Sequence, residues 1–158
     1  PHTNVFVDHT HDMRGVEILS ILKNIYAIAI GVVDAQFESP NQRFLIFTRA
    51  FGEMRKLHLF FGGSKKTLFN YCGIGDFALT SLNDLSRNRT LGLLIGKGFF
   101  TEDISEKVVL EGRIAVNIFY DEIKNKQADP AEFPILTELY RVFNSEYDIS
   151  GFVGKILE

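Results

Sequence analysis

From Gly15 to Val33 the chain reads GVEILSILKNIYAIAIGVV, a stretch in which the polar positions carry the period. At 100° per residue Glu17, Ser20, Lys23 and Asn24 fall within an arc of ~120°, and the rest of the circumference is apolar. This pattern predicts a helix buried nearly all round, with one polar stripe. Such a stripe either meets other buried polar groups or lines a cleft. An ammonium held away from water needs a counter-charge, a ligand, or a stem that carries it to solvent, and the helix alone leaves all three open for Lys23.

The remaining pattern is also helical. Val5–Val7 is a short β-type run, suited to an arm or an edge strand. Ser39-Pro40-Asn41-Gln42 reads as a helix start, with Ser39 as cap, Pro40 at the first position and Gln42 completing a capping box. That helix is expected to reach about Phe60 with Phe44, Leu45, Phe47, Phe51, Met54, Leu57 and Leu59 inward, and to stop at Gly62-Gly63. Arg49 and Glu53, four apart on its polar side, suit a local ion pair. A short helix is predicted over Ser64–Asn70. Gly73-Ile74-Gly75-Asp76 then breaks the pattern where backbone approaches backbone or ligand, before another turn or two over Phe77–Leu82. Ser86 reads as the cap of a helix running to Gly96. Thr101–Lys107 suits a capped turn, and Val109–Gln127 a longer helix with Ile114, Ala115, Ile118, Phe119 and Ile123 inward. Phe133–Val142 and Ile149–Leu157 close the chain. The sum is a single all-α domain, about seven helices around Gly15–Val33.

Length and charge narrow the functional classes. A chain of 158 residues holds one domain with a real core, and a net charge of −3 without a basic strip argues against nucleic acid. The single cysteine, Cys72, excludes an intramolecular disulfide and suits a reducing compartment, so a cytoplasmic location is expected. The longest unbroken apolar run, Ile25–Val33, is too short to span a bilayer. The opening residues carry no secretory-signal pattern and read as if cut from a longer chain.

Candidate chemistry is sparse. His9, His11 and Asp12 match no metal-site spacing, so no metal is expected. Gly73-Ile74-Gly75 lacks the third glycine of a dinucleotide loop and no long β run precedes it. What stands out is Lys23, the glycine-framed Asp76, and Arg87 and Arg89 in the first turn of a helix, where the macrodipole favours anions over cations. An anion among the exposed N–H groups would explain both arginines; pairing with Asp84 or pointing into water would also do so. Together these groups suit a small phosphorylated molecule bearing a carbonyl or hydroxyl, with Lys23 exchanging a proton at its oxygen.

Taken in series, these residues resemble the C-terminal half of NAD(P)-dependent glycerol-3-phosphate dehydrogenases. The resemblance rests on Asp12, Gly15-Val16-Glu17, Lys23-Asn24-Ile25, Ala27-Ile28-Ala29, Gly31, Asn41, Thr48-Arg49 and Glu53-Met54. It continues through Thr67, Gly73, Gly75-Asp76, Leu79-Thr80, Ser86-Arg87-Asn88-Arg89, Gly92, Gly96, Gly98, Val109-Leu110-Glu111-Gly112 and Pro134-Ile135. It covers nearly the whole chain. It implies a helical substrate domain similar to the 6-phosphogluconate dehydrogenase C-terminal-like fold, in an enzyme interconverting dihydroxyacetone phosphate and sn-glycerol 3-phosphate. Lys23 then matches the catalytic lysine, and Asn24, Asp76, Thr80, Ser86, Arg87 and Asn88 match substrate-binding positions. Arg87, Val109 and Glu111 match positions that touch the dinucleotide.

The chain departs from the family pattern at Asp34, Glu38 and their neighbours, at Ala50, and at Asn70-Tyr71-Cys72. The resemblance also implies an N-terminal Rossmann domain that these 158 residues lack, and with it NADH or NADPH as cofactor. The isolated residues are expected to bind no cofactor and to be inactive, and a homodimer is one expected assembly. Two other readings remain at this point. One is a non-catalytic helical module for dimerisation or for binding a phosphorylated metabolite; the other is the same domain serving another hydroxy-acid dehydrogenase.

Overall fold

Asp12 opens the longest helix, α1 (Met13–Gln36), by accepting the Gly15 N–H at 2.9 Å on one carboxylate oxygen. Its other oxygen accepts the Ser64 N–H at 2.7 Å, so the cap also ties α1 to the turn after the second helix. Hydrogen bonds from the Thr67 hydroxyl and the Ser64 N–H hold the Asp12 carboxyl below its ordinary range. The computed structural model describes residues 4, 5, 7–99 and 106–158. The helices after α1 are α2 (Pro40–Phe60), α3 (Lys65–Leu68), α4 (Asp76–Leu82), α5 (Arg87–Gly96), α6 (Glu106–Asn125), α7 (Pro134–Asn144) and α8 (Phe152–Leu157). A π-helical turn, Tyr71–Gly75, runs directly into α4.

The architecture is the all-α one expected, with α1 as its axis. Leu19, Leu22, Ile25, Tyr26 and Ile28 through Val33 are buried, and α2, α4, α5, α6 and α7 pack around them. Each fully buried Leu or Ile contributes ~1.5–3 kcal/mol relative to exposure, so this one helix anchors much of the core. By length and apolarity α1 would also suit a membrane span, yet most of it is wrapped by protein. Its contact with α5 needs glycine on both sides. A methyl group on Gly31 would lie 2.2 Å from the Arg89 carbonyl oxygen, and one on Gly92 would lie 2.0 Å from that of Ile28.

Glu53 is the largest departure from the expected pattern. It pairs with no arginine; it is buried and reaches the start of α7, accepting the Ile135 N–H at 3.0 Å and the Leu136 N–H at 2.8 Å. The Tyr26 hydroxyl donates to it at 3.1 Å. It thus caps a distant helix, while Arg49 stays exposed. Burial pushes its carboxyl up to about 7 against the pull of these three donors.

On α2 and α6 the inward faces differ from expectation in helical phase. On α2 the inward residues are Ile46, Ala50, Met54 and Leu57, while Phe44, Leu45 and Leu59 are exposed. Apolar side chains surround α2 on most sides, so spacing alone did not fix the phase. On α6 the core takes Gly112, Val116, Phe119 and Ile123, leaving Ile114 and Ile118 exposed. Ser39 makes no side-chain cap, so the capping box does not form and Pro40 alone marks that start. Val5 and Val7 lie in irregular, exposed chain, an arm rather than a strand, with no ladder partner among the described residues. The turn expected at Thr101–Lys107 lies largely outside the described residues.

Gly31→Ala and Gly92→Ala should each cost about 2–3 kcal/mol in urea unfolding, because the added methyl meets backbone that cannot move independently. Gly52→Ala, in the interior of α2 with no atom within 4 Å of the new methyl, should instead gain up to about 1 kcal/mol. The raised Glu53 carboxyl makes the folded chain bind a proton more tightly than the unfolded one. Stability should therefore fall by about 3 kcal/mol as pH rises from about 4.5 to about 7 and level off above, with Glu53→Gln flattening that segment of the curve.

Candidate functional site

Lys23, midway along α1, and Asp76, at the head of α4, meet across the polar stripe. Nζ donates to the Asp76 carboxylate at 2.5 Å, with the side chains 21% and 32% exposed. Of the three routes open to Lys23 the structure takes the counter-charge, and leaves the pair reachable from solvent. Glu17 and Ser20 lie exposed toward the N-terminal end of the same stripe. Asn24 is half-buried beside Lys23, its amide donating to the Ser20 carbonyl at 3.1 Å.

Asp76 is aimed by what surrounds it. The next residue, Phe77, is fully buried, stacked on Phe47 at 4.6 Å and edge-on to Tyr26 at 6.4 Å. That ring anchors the start of α4 between α1 and α2 while its neighbour turns outward. Before it stands the π-helical turn, a widening that recurs at functional sites. The turn is possible because Gly73 has no side chain: a methyl group there would lie 2.0 Å from the Leu68 carbonyl oxygen. Cys72 in this turn is a free, half-buried thiol, and burial pushes its ionisation upward. Thr80, one turn after Asp76 on α4, is half-buried.

A groove of about 950 Å³ opens beside the pair, between the arm at Val7–Thr10, Val16 and the Asn70–Cys72 turn, and Asp76 lines it. A smaller hollow of about 300 Å³ lies between α2 and the start of α7, on the side of Glu53, and is lined by none of the expected site residues.

The two arginines that open α5 have separate fates. Ser86 caps the helix, accepting the Arg89 N–H at 3.3 Å. Arg89 is buried, and its Nε and Nη2 donate to one oxygen of Asp34 at 3.1 and 2.7 Å. Its Nη1 donates to Asp84 at 2.6 Å. The second oxygen of Asp34 takes the Arg43 Nε at 2.5 Å, so one buried carboxylate holds two guanidinium groups. Arg87 is exposed and Asn88 half-buried, and neither makes a side-chain hydrogen bond with a described residue.

The structure thus brings Lys23 and Asp76 into contact, with Asn24 and Thr80 on the flanking turns. Ser86, Arg87 and Asn88 form a second group, at the start of α5. That start rests on α1 near Gly31, eight residues and ~12 Å along the axis from Lys23, and no described bond joins the two groups. Val109 is half-buried near the start of α6; Glu111 is exposed and 4.0 Å from Lys107. Among the described residues no group of three His, Cys, Asp or Glu side chains is placed to hold a metal.

Sequence reasoning missed Asp34 as the partner of Arg89. A signal existed: a carboxylate near the C-terminus of an apolar helix opposes the macrodipole and calls for a cation. Arg89→Met should cost about 3 kcal/mol by stranding much of the charge of Asp34, while Arg87→Met should stay within about 0.5 kcal/mol, as urea denaturation would register.

Residues 12–154 match the family model described as NAD-dependent glycerol-3-phosphate dehydrogenase C-terminus. The chain is 39% identical over 158 residues to the NAD(P)+ glycerol-3-phosphate dehydrogenase of Clostridium tetani, covering 98% of this chain and 44% of that one. It is 32% identical over 154 residues to that of Methanothermobacter thermautotrophicus, covering 98% and 46%. The chain spans less than half the length of these curated relatives. Among solved structures, glycerol-3-phosphate dehydrogenase from Coxiella burnetii superposes with a TM-score of 0.83 at 30% identity, covering 94% of this chain and 46% of that one.

Proposed function

Because the chain belongs to the NAD-dependent glycerol-3-phosphate dehydrogenase C-terminal family, we propose that it is the substrate-binding half of an enzyme interconverting dihydroxyacetone phosphate and sn-glycerol 3-phosphate. The observation that carries this reading is the Lys23–Asp76 pair, half-buried on the one polar stripe of an otherwise buried helix.

Lys23 is the proton carrier in this proposal. An ammonium has three donors; Asp76 takes one and leaves two for a substrate oxygen. In reduction Nζ gives a proton to the ketone oxygen as a hydride arrives at C2; in oxidation the neutral amine takes the alcohol proton back. Asp76 holds Nζ in place. Asn24 and Thr80 flank the pair and are proposed to bind the substrate's oxygens. At the other end Arg87, Asn88, the Ser86 hydroxyl and the N–H groups of the first turn of α5 are assigned to the phosphate.

The nicotinamide cofactor, when bound, would supply the hydride to C2 in reduction and take it from C2 in oxidation. The chain contains no G-x-G-x-x-G sequence, and the resemblance assigns only Arg87, Val109 and Glu111 to contact with a dinucleotide. The proposal therefore needs a dinucleotide-binding domain joined to this one, and the isolated residues are expected to bind no cofactor and to be inactive.

In the dehydrogenase that carries this domain, Lys23→Ala should lower kcat by about 10²–10⁴-fold while the protein remains folded. Arg87→Ala should chiefly raise KM for glycerol 3-phosphate. Steady-state kinetics on both variants test the assignment, and near-normal turnover with Lys23→Ala would remove the catalytic role.

A further inference from the structure

We propose that Asp34 is a positioning residue for the phosphate end of the substrate, acting through Arg89 on the first turn of α5. This rests on the reading that Arg87 meets the phosphate. Asp34 lies near the C-terminus of α1 with its side chain 2% exposed, and Arg89 lies in the first turn of α5 with its side chain 7% exposed. Each sits at the helix end whose dipole disfavours its charge. A buried ion pair adds little net stability over apolar residues of similar volume, so fold stability alone does not call for one here.

Its geometry does have a use. Arg89 takes two bonds to Asp34 on α1 and one to Asp84, just before α5 begins. The guanidinium is thus held on both of its edges, against the preceding loop and against the neighbouring helix. On the same side the Arg89 carbonyl rests where Gly31 has no side chain, so the backbone itself is seated. Arg87, two residues earlier, points ~200° round the helix from Arg89 and is exposed. One face of the turn is locked so that the other is presented in a fixed position. A displacement of ~1 Å at a binding group is enough to lose up to 10²-fold in rate or affinity.

The test is a double-mutant cycle in the dehydrogenase that carries this domain, read as KM for glycerol 3-phosphate with melting temperature recorded alongside. Asp34→Asn should raise KM roughly tenfold, more than it lowers kcat. In an Arg87→Ala background the same change should raise KM by less than about twofold, because the group it positions is gone. Arg89→Lys, which keeps the charge and loses the fork, should raise KM in the same Arg87-dependent way, and it carries the comparison if Asp34→Asn does not fold. Equal rises with and without Arg87, or an unchanged KM in a folded Asp34→Asn protein, would overturn the proposal. Should Arg87→Ala alone leave KM unchanged, the phosphate reading itself fails, and this inference with it.

Discussion

The burial of α1 constrains everything else in this domain. A 24-residue helix packed on nearly every side has only one strip left on which to carry polar groups. Every neighbouring element must then either cover an apolar face or deliver its polar residues to that strip. Helix α4 does both within two residues: Phe77 enters the core while Asp76 turns to the strip. Helix α5 divides its first turn, Arg89 facing inward to Asp34 and Arg87 outward to solvent. The site is built at the margin of the core, with the Val7–Thr10 arm and the Asn70–Cys72 turn beside it.

Among the described residues, the buried charged side chains of Asp34, Arg89 and Glu53 each have several partners. Asp34 has two guanidinium groups, Arg89 two carboxylates, and Glu53 two backbone N–H groups and a hydroxyl. Each arrangement also joins separate helices: α1 to α2 and α5 through Asp34, and α2 to α7 through Glu53. The polar interior thus fixes how helices sit against one another, which apolar packing alone specifies loosely.

The fold class, and Lys23 and Asp76 as candidate site residues, were legible because each left a strong local mark; their direct pairing was not read from the sequence. For Lys23 the mark was a polar residue in an apolar helix; for Asp76 it was a pair of glycines with a steric reason to be there. The start of α5 was legible from Ser86. The inward faces of α2 and α6 were not, since apolar residues on several sides leave the helical phase to be set by neighbours such as Phe77 that are remote in sequence. The role of Glu53 was hidden for the same reason: its partners are 82 and 83 positions away. Distance in sequence also concealed the division between Arg87 and Arg89, which depends on a carboxylate 55 residues earlier.

The Lys23–Asp76 pair bears on how an anion would find this site. Opposite charges 2.5 Å apart nearly cancel when viewed from a few diameters away, so the pair projects little field into the solvent. Attraction at long range then falls to the start of α5, where Arg87 stands exposed, and this attraction weakens over a Debye length of ~8 Å at physiological salt. Under the proposed reading, capture and proton transfer belong to two groups of residues with different reach. Ionic strength would act on the first and leave the second, working at contact distance, largely untouched.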